Sequence, residues 1–408
     1  MAEYVVVMGA DADAWFLPED GPMQVLAVRS PVGPFDITLQ TRFVDEGHTA
    51  SVPREMWVEA RGSAETDLKA AINAYANASA GLLPIIAFAA NAYVDDLELK
   101  IAYDATETST QRAFFQSFVR EEGGTVPRPG RWVDIASTLA FMTDILTHEQ
   151  SVRLRRATAQ YALALAHWRF GHETLAVAHL YIASEALTPV ARQRECDRLG
   201  IEREDLAESW AVDVRGLDAE VRRRLLFQGD DDTYAAAKQA SDGFEHGFLD
   251  FDDVRLLSRH VRDTTARYVR TAVVDLAGVA GETRAKLLDP PRDKPLRSFL
   301  TRYLWGEFVG KAPDLALPEE HYPRFLWKSR LKEITRDGKK MLVTPEETTT
   351  ARFSSAVTFQ PARFEVWGPD GLERREPGTI EAKIIRGDSG EVEEVPLKSG
   401  EQDSAEGG

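Results

Sequence analysis

The middle of this chain takes its fold from residues 151–190, SVRLRRATAQYALALAHWRFGHETLAVAHLYIASEALTPV. Apolar side chains recur there at the spacing of one helical face, first over residues 154–168 and again over residues 175–187. Gly171 separates the two patterns, and Pro189 is expected to end the second helix. Two helices joined by so short a link predict an antiparallel αα-hairpin.

Two further helices are expected after this hairpin. Asp230–Asp232 predict the start of a short helix that ends at Ala240. A long amphipathic helix should then run from Asp252 to about Leu276. Several arginines lie beside its apolar stripe: Arg255, Arg259, Arg262 and Arg270. Such a face is often simply solvated, but the planar guanidinium also suits phosphate contact, so both interpretations stay open.

Residues 1–130 alternate short β patterns with turns. Four strands are expected there: Tyr4–Met8, Gln24–Arg29, Phe35–Phe43 and Glu55–Ala60. A helix over residues 64–80, capped by Ser63, and the apolar segment 81–92 (GLLPIIAFAANA) should pack on the resulting sheet. A further strand is expected over residues 93–103, which together predicts an α+β domain.

The pattern changes again after residue 290. Residues 296–305 and 322–334 are expected to be helical. Three strands should follow: Met341–Val343, Ala351–Phe359 and Arg363–Trp367. Residues 387–408 contain seven acids and one lysine among glycines and serines, which is typical of a disordered acidic tail.

The charge of the chain is large and unevenly distributed. The formal net charge is −17, which disfavours loose binding to DNA or to an anionic membrane. Residues 151–290 are nearly balanced, with 20 Lys+Arg against 23 Asp+Glu, and 18 of those basic residues are arginine. The sequence contains no run of eighteen apolar residues, so it predicts no transmembrane helix. The N-terminal residues lack the basic region of a signal peptide, and we therefore expect a cytoplasmic protein.

The familiar catalytic and metal-binding motifs are missing from the sequence. With Cys196 as the single cysteine, neither an internal disulfide nor a cysteine metal cluster can form. Residues 306–311 (GEFVGK) are one residue short of a phosphate loop and lack the following Ser or Thr. His172 and His179 are two helical turns apart, too far to share a metal without a third element. We therefore expect no metal and no cofactor.

Two segments carry a family resemblance. They are residues 227–248 (FQGDDDTYAAAKQASDGFEHGF) and residues 179–188 (HLYIASEALT). Together they resemble the HEPN superfamily of helical-bundle proteins, including its large ApeA-like and MauJ-like groups, which carry an extra N-terminal domain. The matching pieces are Glu185-Ala186-Leu187 for an acidic segment of an early helix, and DGFEHG at residues 242–247 for a polar stretch that closes on His-Gly. The resemblance covers roughly residues 150–280.

The resemblance implies metal-independent cleavage of RNA. In the family an arginine precedes a histidine by a short polar spacer, so that the arginine holds the scissile phosphate and the histidine acts on the ribose 2′-hydroxyl or the leaving oxygen. Here His246 matches the histidine and Asp242 the polar position, and these are the candidate catalytic residues. Ser241 stands at the arginine position and cannot supply its charge. The candidate substrate-binding residues are Arg255, Arg259 and Arg262.

Two hypotheses follow. The first is an RNA-directed HEPN-like protein, in a defence or stress system, that cleaves or binds RNA; the second is a catalytically inactive HEPN-like scaffold that dimerises or senses a ligand. A structural role is the alternative for His246, in which it caps a helix or bonds a backbone carbonyl at a turn. The predicted partners are RNA and a second copy of the chain, without DNA or membrane. The fold class is α+β, in four parts: an α+β domain at 1–130, a HEPN-like helical domain at 150–280, a mixed region at 295–386, and a disordered tail at 387–408.

Overall fold

The computed structural model confirms the α+β class. It describes residues 1–44, 51–117, 130–247, 250–299, 301–311, 315–318, 321–337, 340–377, 380–385 and 392–397. The chain forms two compact units. Among the described residues, the first unit comprises 1–43, 53–117 and 130–298, and the second comprises those after 298 together with 44, 51 and 52. The sequence-based boundary near residue 130 thus separates two patterns of secondary structure, and both contribute to one unit with a continuous core.

A six-stranded sheet begins the first unit. The elements of this part, in chain order, are β1 (Ala2–Ala10), β2 (Ala14–Trp15), β3 (Met23–Val28), β4 (Phe35–Val44), β5 (Val52–Ala64), α1 (Leu68–Ala80), α2 (Leu83–Ala90), β6 (Glu98–Asp104), β7 (Phe114–Gln116) and β8 (Arg131–Trp132). The strand order is β3-β4-β5-β1-β6-β7, and β1 pairs antiparallel with both of its neighbours. Residues 4–10 of this central strand are all buried, as their run of apolar side chains requires.

Helices complete the first unit. In chain order they are α3 (Ile135–Thr147), α4 (Ser151–Ala166), α5 (Glu173–Leu199), α6 (Arg203–Ser209), α7 (Leu217–Val221), α8 (Asp231–His246), α9 (Phe251–Leu276) and α10 (Gly281–Leu287). The predicted hairpin is confirmed as α4 and α5, which pack against each other. Helix α5 also packs on α8 and α9, so it lies in the middle of the helical part.

Helix α2 connects the helical part to the sheet. Arg270 of α9 is fully buried, and its guanidinium donates to the carbonyl oxygens of Phe88 and Ala89 at the end of α2, the latter over 3.2 Å. It also donates to the carbonyl oxygen of Leu287, 2.5 Å from Nη2. The last carbonyls of a helix lack partners within the helix and carry partial negative charge, so they suit a cation. This contact anchors α9 to the N-terminal residues.

The helical stretch Leu68–Ala90 is long and apolar enough to cross a membrane by length and composition alone. It consists of two helices, α1 and α2, and α2 is buried in the core of the first unit. Core helices of globular proteins meet the same criteria, and burial of α2 accounts for its composition.

The second unit is built from strands. They are β9 (Thr301–Gly310), β10 (Arg324–Asp337), β11 (Lys340–Arg352), β12 (Val357–Gly368), β13 (Gly371–Pro377), β14 (Ile380–Ile385) and β15 (Val392–Leu397). One sheet has the order β13-β12-β9 and another the order β10-β11-β14-β15. A small aromatic core, which includes Phe325, Phe353 and Phe359, joins residues of both sheets.

Two sequence-based expectations were wrong in this unit. Residues 301–305 and 324–334, which were expected to be helical, belong to strands β9 and β10. In β9, Leu304 and Phe308 pack on the aromatic core while Tyr303 and Trp305 are exposed on the other face. That alternation has the two-residue period of a strand, and aromatic residues favour strands. Of the three expected C-terminal strands, Met341–Val343 lies in β11 and Arg363–Trp367 lies in β12. The third, Ala351–Phe359, covers the end of β11, the connection at residues 353–356 and the start of β12.

Helix ends also differ from expectation. Helix α1 is capped by Asp67, whose carboxylate accepts from the Ala70 amide over 2.8 Å, and Ser63 belongs to β5 instead. Helix α5 continues through Pro189 to Leu199, because packing on three neighbouring helices outweighs the roughly 3 kcal/mol cost of an internal proline.

Helix α8 continues past Ala240, where it was expected to end, to His246, and Gly243 is a buried residue within it. Of the predicted disordered tail, residues 387–391 and 398–408 lie outside the described residues. Residues Val392–Leu397 form β15, which pairs with β14.

Candidate functional site

The connection between α4 and α5 contains aromatic and titratable side chains close together. Residues 167–172, HWRFGH, join the two helices, and Gly171 takes the left-handed backbone conformation, with φ 85°, that closes the link. Trp168 is fully buried, whereas Phe170 is half-buried at the surface. The connection therefore presents one aromatic ring and several titratable groups at one end of the helical part.

The three predicted substrate-binding arginines of α9 contact this connection. The guanidinium carbons of Arg255 and Arg259 lie 5.9 and 4.8 Å from the ring centre of Phe170. Arg262 is buried and stacks on Trp168 at 4.3 Å. A guanidinium over an aromatic face is held by cation–π attraction while its edge can still donate hydrogen bonds. Arg255 and Arg259 thus combine fixed position with access to solvent, whereas Arg262 supports the packing of Trp168.

One buried carboxylate faces the arginines. The Glu173 side chain, at the first position of α5, is 2% exposed, and its Oε1 accepts from Nε of Arg259 over 3.3 Å. Its other oxygen, Oε2, is buried without a hydrogen-bond partner among the described residues. The helix N-terminus stabilises this negative charge, and Arg259 compensates part of it.

Three histidines gather at the α4–α5 connection. The rings of His167 and His179 are parallel with centres 5.5 Å apart, and Nδ1 of His167 lies 3.4 Å from Nδ1 of His172. Nδ1 of His179 lies 2.8 Å from Oε1 of Gln160. If Nδ1 donates to this carbonyl oxygen, Nε2 of His179 carries the lone pair.

The histidine cluster is held in its neutral form. Burial, together with the positive charges of the other histidines, Arg169 and Arg297, lowers the pKa of His167 to about 4. Burial and Arg169 lower the pKa of His172, against the opposing effect of Glu173, and burial lowers the pKa of His179. Neutral imidazoles can accept a proton at physiological pH. In the described part of the chain, no three His, Cys, Asp or Glu side chains are arranged to hold a metal ion.

The predicted catalytic residues lie at the end of α8. His246 is the last residue of this helix and is exposed, and Gly247 follows it in the left-handed conformation of a helix C-cap, with φ 65°. Asp242, one turn earlier, forms an ion pair with Lys238. Asp242 and His246 therefore share one face of the helix by spacing.

Ser241, at the family's arginine position, is fully buried. Its Oγ donates to Oε1 of Glu245 over 3.2 Å. A long cationic side chain at this position would have to enter the interior of the helical part, which costs far more than a surface substitution. The packing of α8 thus accommodates the small serine.

Glu185, from the other resembling segment, lines a groove of about 670 Å³ between α4 and α5. The groove also contains Arg153, Arg156, Glu149 and an apolar floor that includes Ile182. Its two acids and two arginines make the surface electrostatically self-complementary.

Sequence reasoning missed the histidine cluster because it considered only His172 and His179. The third element that was required to bring these two residues together is His167, at the end of α4. The signal in the sequence is the pair of histidines that brackets the short link HWRFGH, since residues at the two ends of a tight helical connection must be close. No protein-family model matches this chain, and no curated protein or solved structure matches it.

Proposed function

We propose that this chain is an RNA-directed, HEPN-like protein whose phosphate-binding centre is the α4–α5 connection. The observation that carries the proposal is the stacking of Arg255 and Arg259 on Phe170. Phe170 is two residues before His172, which is neutral because its pKa is lowered. One guanidinium can donate to two oxygens of the same phosphate, and an aromatic ring can stack on a base. Arg255 and Arg259 place two positive charges there, although the chain as a whole is acidic.

The same groups suit RNA cleavage without a metal. A neutral histidine would remove the proton of the ribose 2′-hydroxyl, whose oxygen attacks the adjacent phosphorus as the bond to the 5′-oxygen breaks. The imidazolium formed in that step would return its proton to the leaving oxygen, directly or through water, and arginines would stabilise the charge on the phosphorane. His172 is the candidate base at the α4–α5 connection, and His246 is the candidate that the family resemblance implies.

A second candidate is the inactive HEPN-like scaffold. It is favoured by the environment of α8, where the arginine position is a buried serine and Asp242 is already paired with Lys238. In this case the self-complementary groove at Glu185 would accept a second copy of the chain. We propose homodimerisation and a cytoplasmic location under either candidate.

Purified protein incubated with single-stranded RNA in the presence of EDTA tests the proposal. We expect binding, and cleavage to 2′,3′-cyclic phosphate ends; the Arg255→Ala/Arg259→Ala variant should lose cleavage and bind RNA more weakly. Arg267→Ala is the matched control, because Arg267 is exposed on the same helix but contacts a different ring. Its guanidinium carbon lies 5.8 Å from the ring centre of Tyr268.

Variants of the two histidines separate the mechanisms. Loss of cleavage in His172→Ala with retained binding would place the base at the α4–α5 connection, and loss in His246→Ala would place it on α8. Binding without cleavage in the unmodified protein favours the scaffold. Absence of both binding and cleavage refutes an RNA-directed role.

A further inference from the structure

The sheet of β9, β12 and β13 has two chemically different faces. Leu304 and Phe308 of β9 pack towards the aromatic core of the second unit. Tyr303 and Trp305, which alternate with them, point to the opposite face and are 48% and 49% exposed. Large aromatic side chains exposed side by side are unusual unless they meet a partner.

A buried carboxylate organises this outer face. Glu365 of β12 lies opposite Tyr303, in the centre of the sheet, and is almost fully buried. It accepts hydrogen bonds from Nε1 of Trp367 over 3.0 Å and from Nε1 of Trp305 over 3.3 Å. The hydrogen bond from Trp367 and the neighbouring arginines keep the pKa of Glu365 below its usual range, so the group stays ionised at neutral pH.

Two arginines complete the cluster. Oε1 of Glu365 lies 3.1 Å from Nε of Arg363 and 3.0 Å from Nη2 of Arg375. Arg363 also stacks on the ring of Trp305 at 4.4 Å. The side chains of the two arginines are 42% and 54% exposed, so each retains donors that face solvent.

These contacts fix the directions of the aromatic rings. Trp305 is held at its nitrogen by Glu365 and on one face by Arg363. Tyr303 packs edge-on against Trp367, with ring centres 6.3 Å apart and planes at 90°. Rings that are already ordered lose little conformational entropy when a flat ligand stacks on them.

We propose that this face of the β9–β12–β13 sheet binds single-stranded RNA, with unpaired bases on Tyr303 and Trp305 and phosphates on Arg363 and Arg375. The proposal rests on the proposed function only in taking RNA as the ligand, because the site belongs to a different unit from the α4–α5 connection. Exposed aromatic residues on an antiparallel sheet are a recurrent platform for bases, and they read every base through its π-face.

The cluster of Arg363, Arg375 and Glu365 favours a nucleic acid strand over a neutral sugar chain. Two guanidiniums surround one carboxylate, so the cluster keeps a positive charge beside the aromatic rings. A repeating polyanion with flat substituents matches both features at once, whereas a neutral oligosaccharide has no charge to pair with the guanidiniums. The bases must be unpaired, since a duplex covers their faces.

The test is binding of a fluorescein-labelled, single-stranded uridine oligonucleotide to the full chain, measured by fluorescence anisotropy and by quenching of tryptophan emission. Trp305→Ala should weaken binding by about 5- to 150-fold, the equivalent of about 1–3 kcal/mol per stacked base. Trp305→Phe should recover most of the affinity, and Tyr303→Ala should also weaken binding. Tyr322→Ala is the matched control, because Tyr322 is 63% exposed in the same unit but lies outside the sheet.

The outcomes separate this proposal from the proposed function. Binding that survives Arg255→Ala/Arg259→Ala and is lost in Trp305→Ala supports the sheet even if no RNA is cleaved. Unchanged affinity in Trp305→Ala and Tyr303→Ala, with folding verified by circular dichroism, overturns it and leaves the α4–α5 connection untouched. The proposal is also overturned if the protein does not bind RNA but binds a neutral oligosaccharide, and if Trp305→Ala and Tyr303→Ala weaken that binding equally.

Discussion

Replacement of Glu173 by glutamine should strengthen RNA binding at the α4–α5 connection. The Glu173 carboxylate is 2% exposed and neutralises part of the charge of Arg259, which is 39% exposed, across 3.3 Å. Opposite charges about 4 Å apart attract by about 1 kcal/mol in water and about 4 kcal/mol near a protein surface. Because Arg259 is more than one-third exposed, solvent screens the pair and we take about 1 kcal/mol.

The two members of the pair should therefore respond in opposite ways. Glu173→Gln releases the charge of Arg259 towards phosphate and should tighten RNA binding about fivefold, the equivalent of that 1 kcal/mol. Arg259→Gln should weaken binding and reduce the salt slope by about 1. It should also lower the free energy of unfolding by about 1–3 kcal/mol, because it leaves a buried carboxylate without its cation.

A double-mutant cycle with Glu173→Gln, Arg259→Gln and the combined variant measures the coupling. Denaturant unfolding gives the stability term, and fluorescence anisotropy over a range of salt concentrations gives the binding term. The combined variant should recover the stability that Arg259→Gln loses, but not its RNA affinity. Weaker RNA binding in Glu173→Gln would refute the reasoning, because the carboxylate would then act on the ligand directly.

Three further predictions concern stability and assembly. The pKa of His167 is lowered to about 4 from an unfolded value near 6.5, so the unfolded chain binds more protons than the folded chain between these pH values. The free energy of unfolding should therefore fall by up to about 3 kcal/mol as pH drops from about 6.5 to 4. Denaturant titrations should show a smaller fall in His167→Asn, and an equal fall would contradict the assignment. Arg270→Met should lower the free energy of unfolding by about 3–5 kcal/mol, since it leaves three carbonyl oxygens without their cation, and calorimetry that finds no change would count against this anchor. Sedimentation velocity should show a dimer that the charge reversal Arg153→Glu disrupts, and a monomer at high concentration would disprove the proposed pairing.

Local patterns in the sequence were sufficient for much of the first unit. Short β runs separated by turn residues predicted the strands at 4–8, 35–43 and 55–60, and helical spacing predicted α4, α9 and the first part of α5. They failed where packing outweighs local preference, as at Pro189. They also failed at β9, because consecutive residues of this strand, such as Tyr303, Leu304 and Trp305, are all apolar. Hydrophobicity along the sequence therefore shows no two-residue period there.

The candidate site could be predicted only in part, for a similar reason. The arginines of α9 stood out by composition, but their contact with Phe170 depends on how α9 packs across the α4–α5 connection. The burial of Ser241 and of Arg262 likewise depends on neighbouring helices that no local pattern specifies. Distance along the chain hid the relation of Glu173 to Arg259, which are 86 residues apart.

The anchoring of α9 on α2 determines how the helical part can be studied. A fragment of residues 150–280 would lack Phe88, Ala89 and Leu287, so the guanidinium of Arg270 would lose all three carbonyl acceptors at a newly exposed surface. It would also expose the side of α4 that packs on α2, including Tyr161, whose hydroxyl donates to Asn91 over 2.8 Å. Expression of the helical part should therefore retain the N-terminal sheet, or supply it in trans as a complementing fragment.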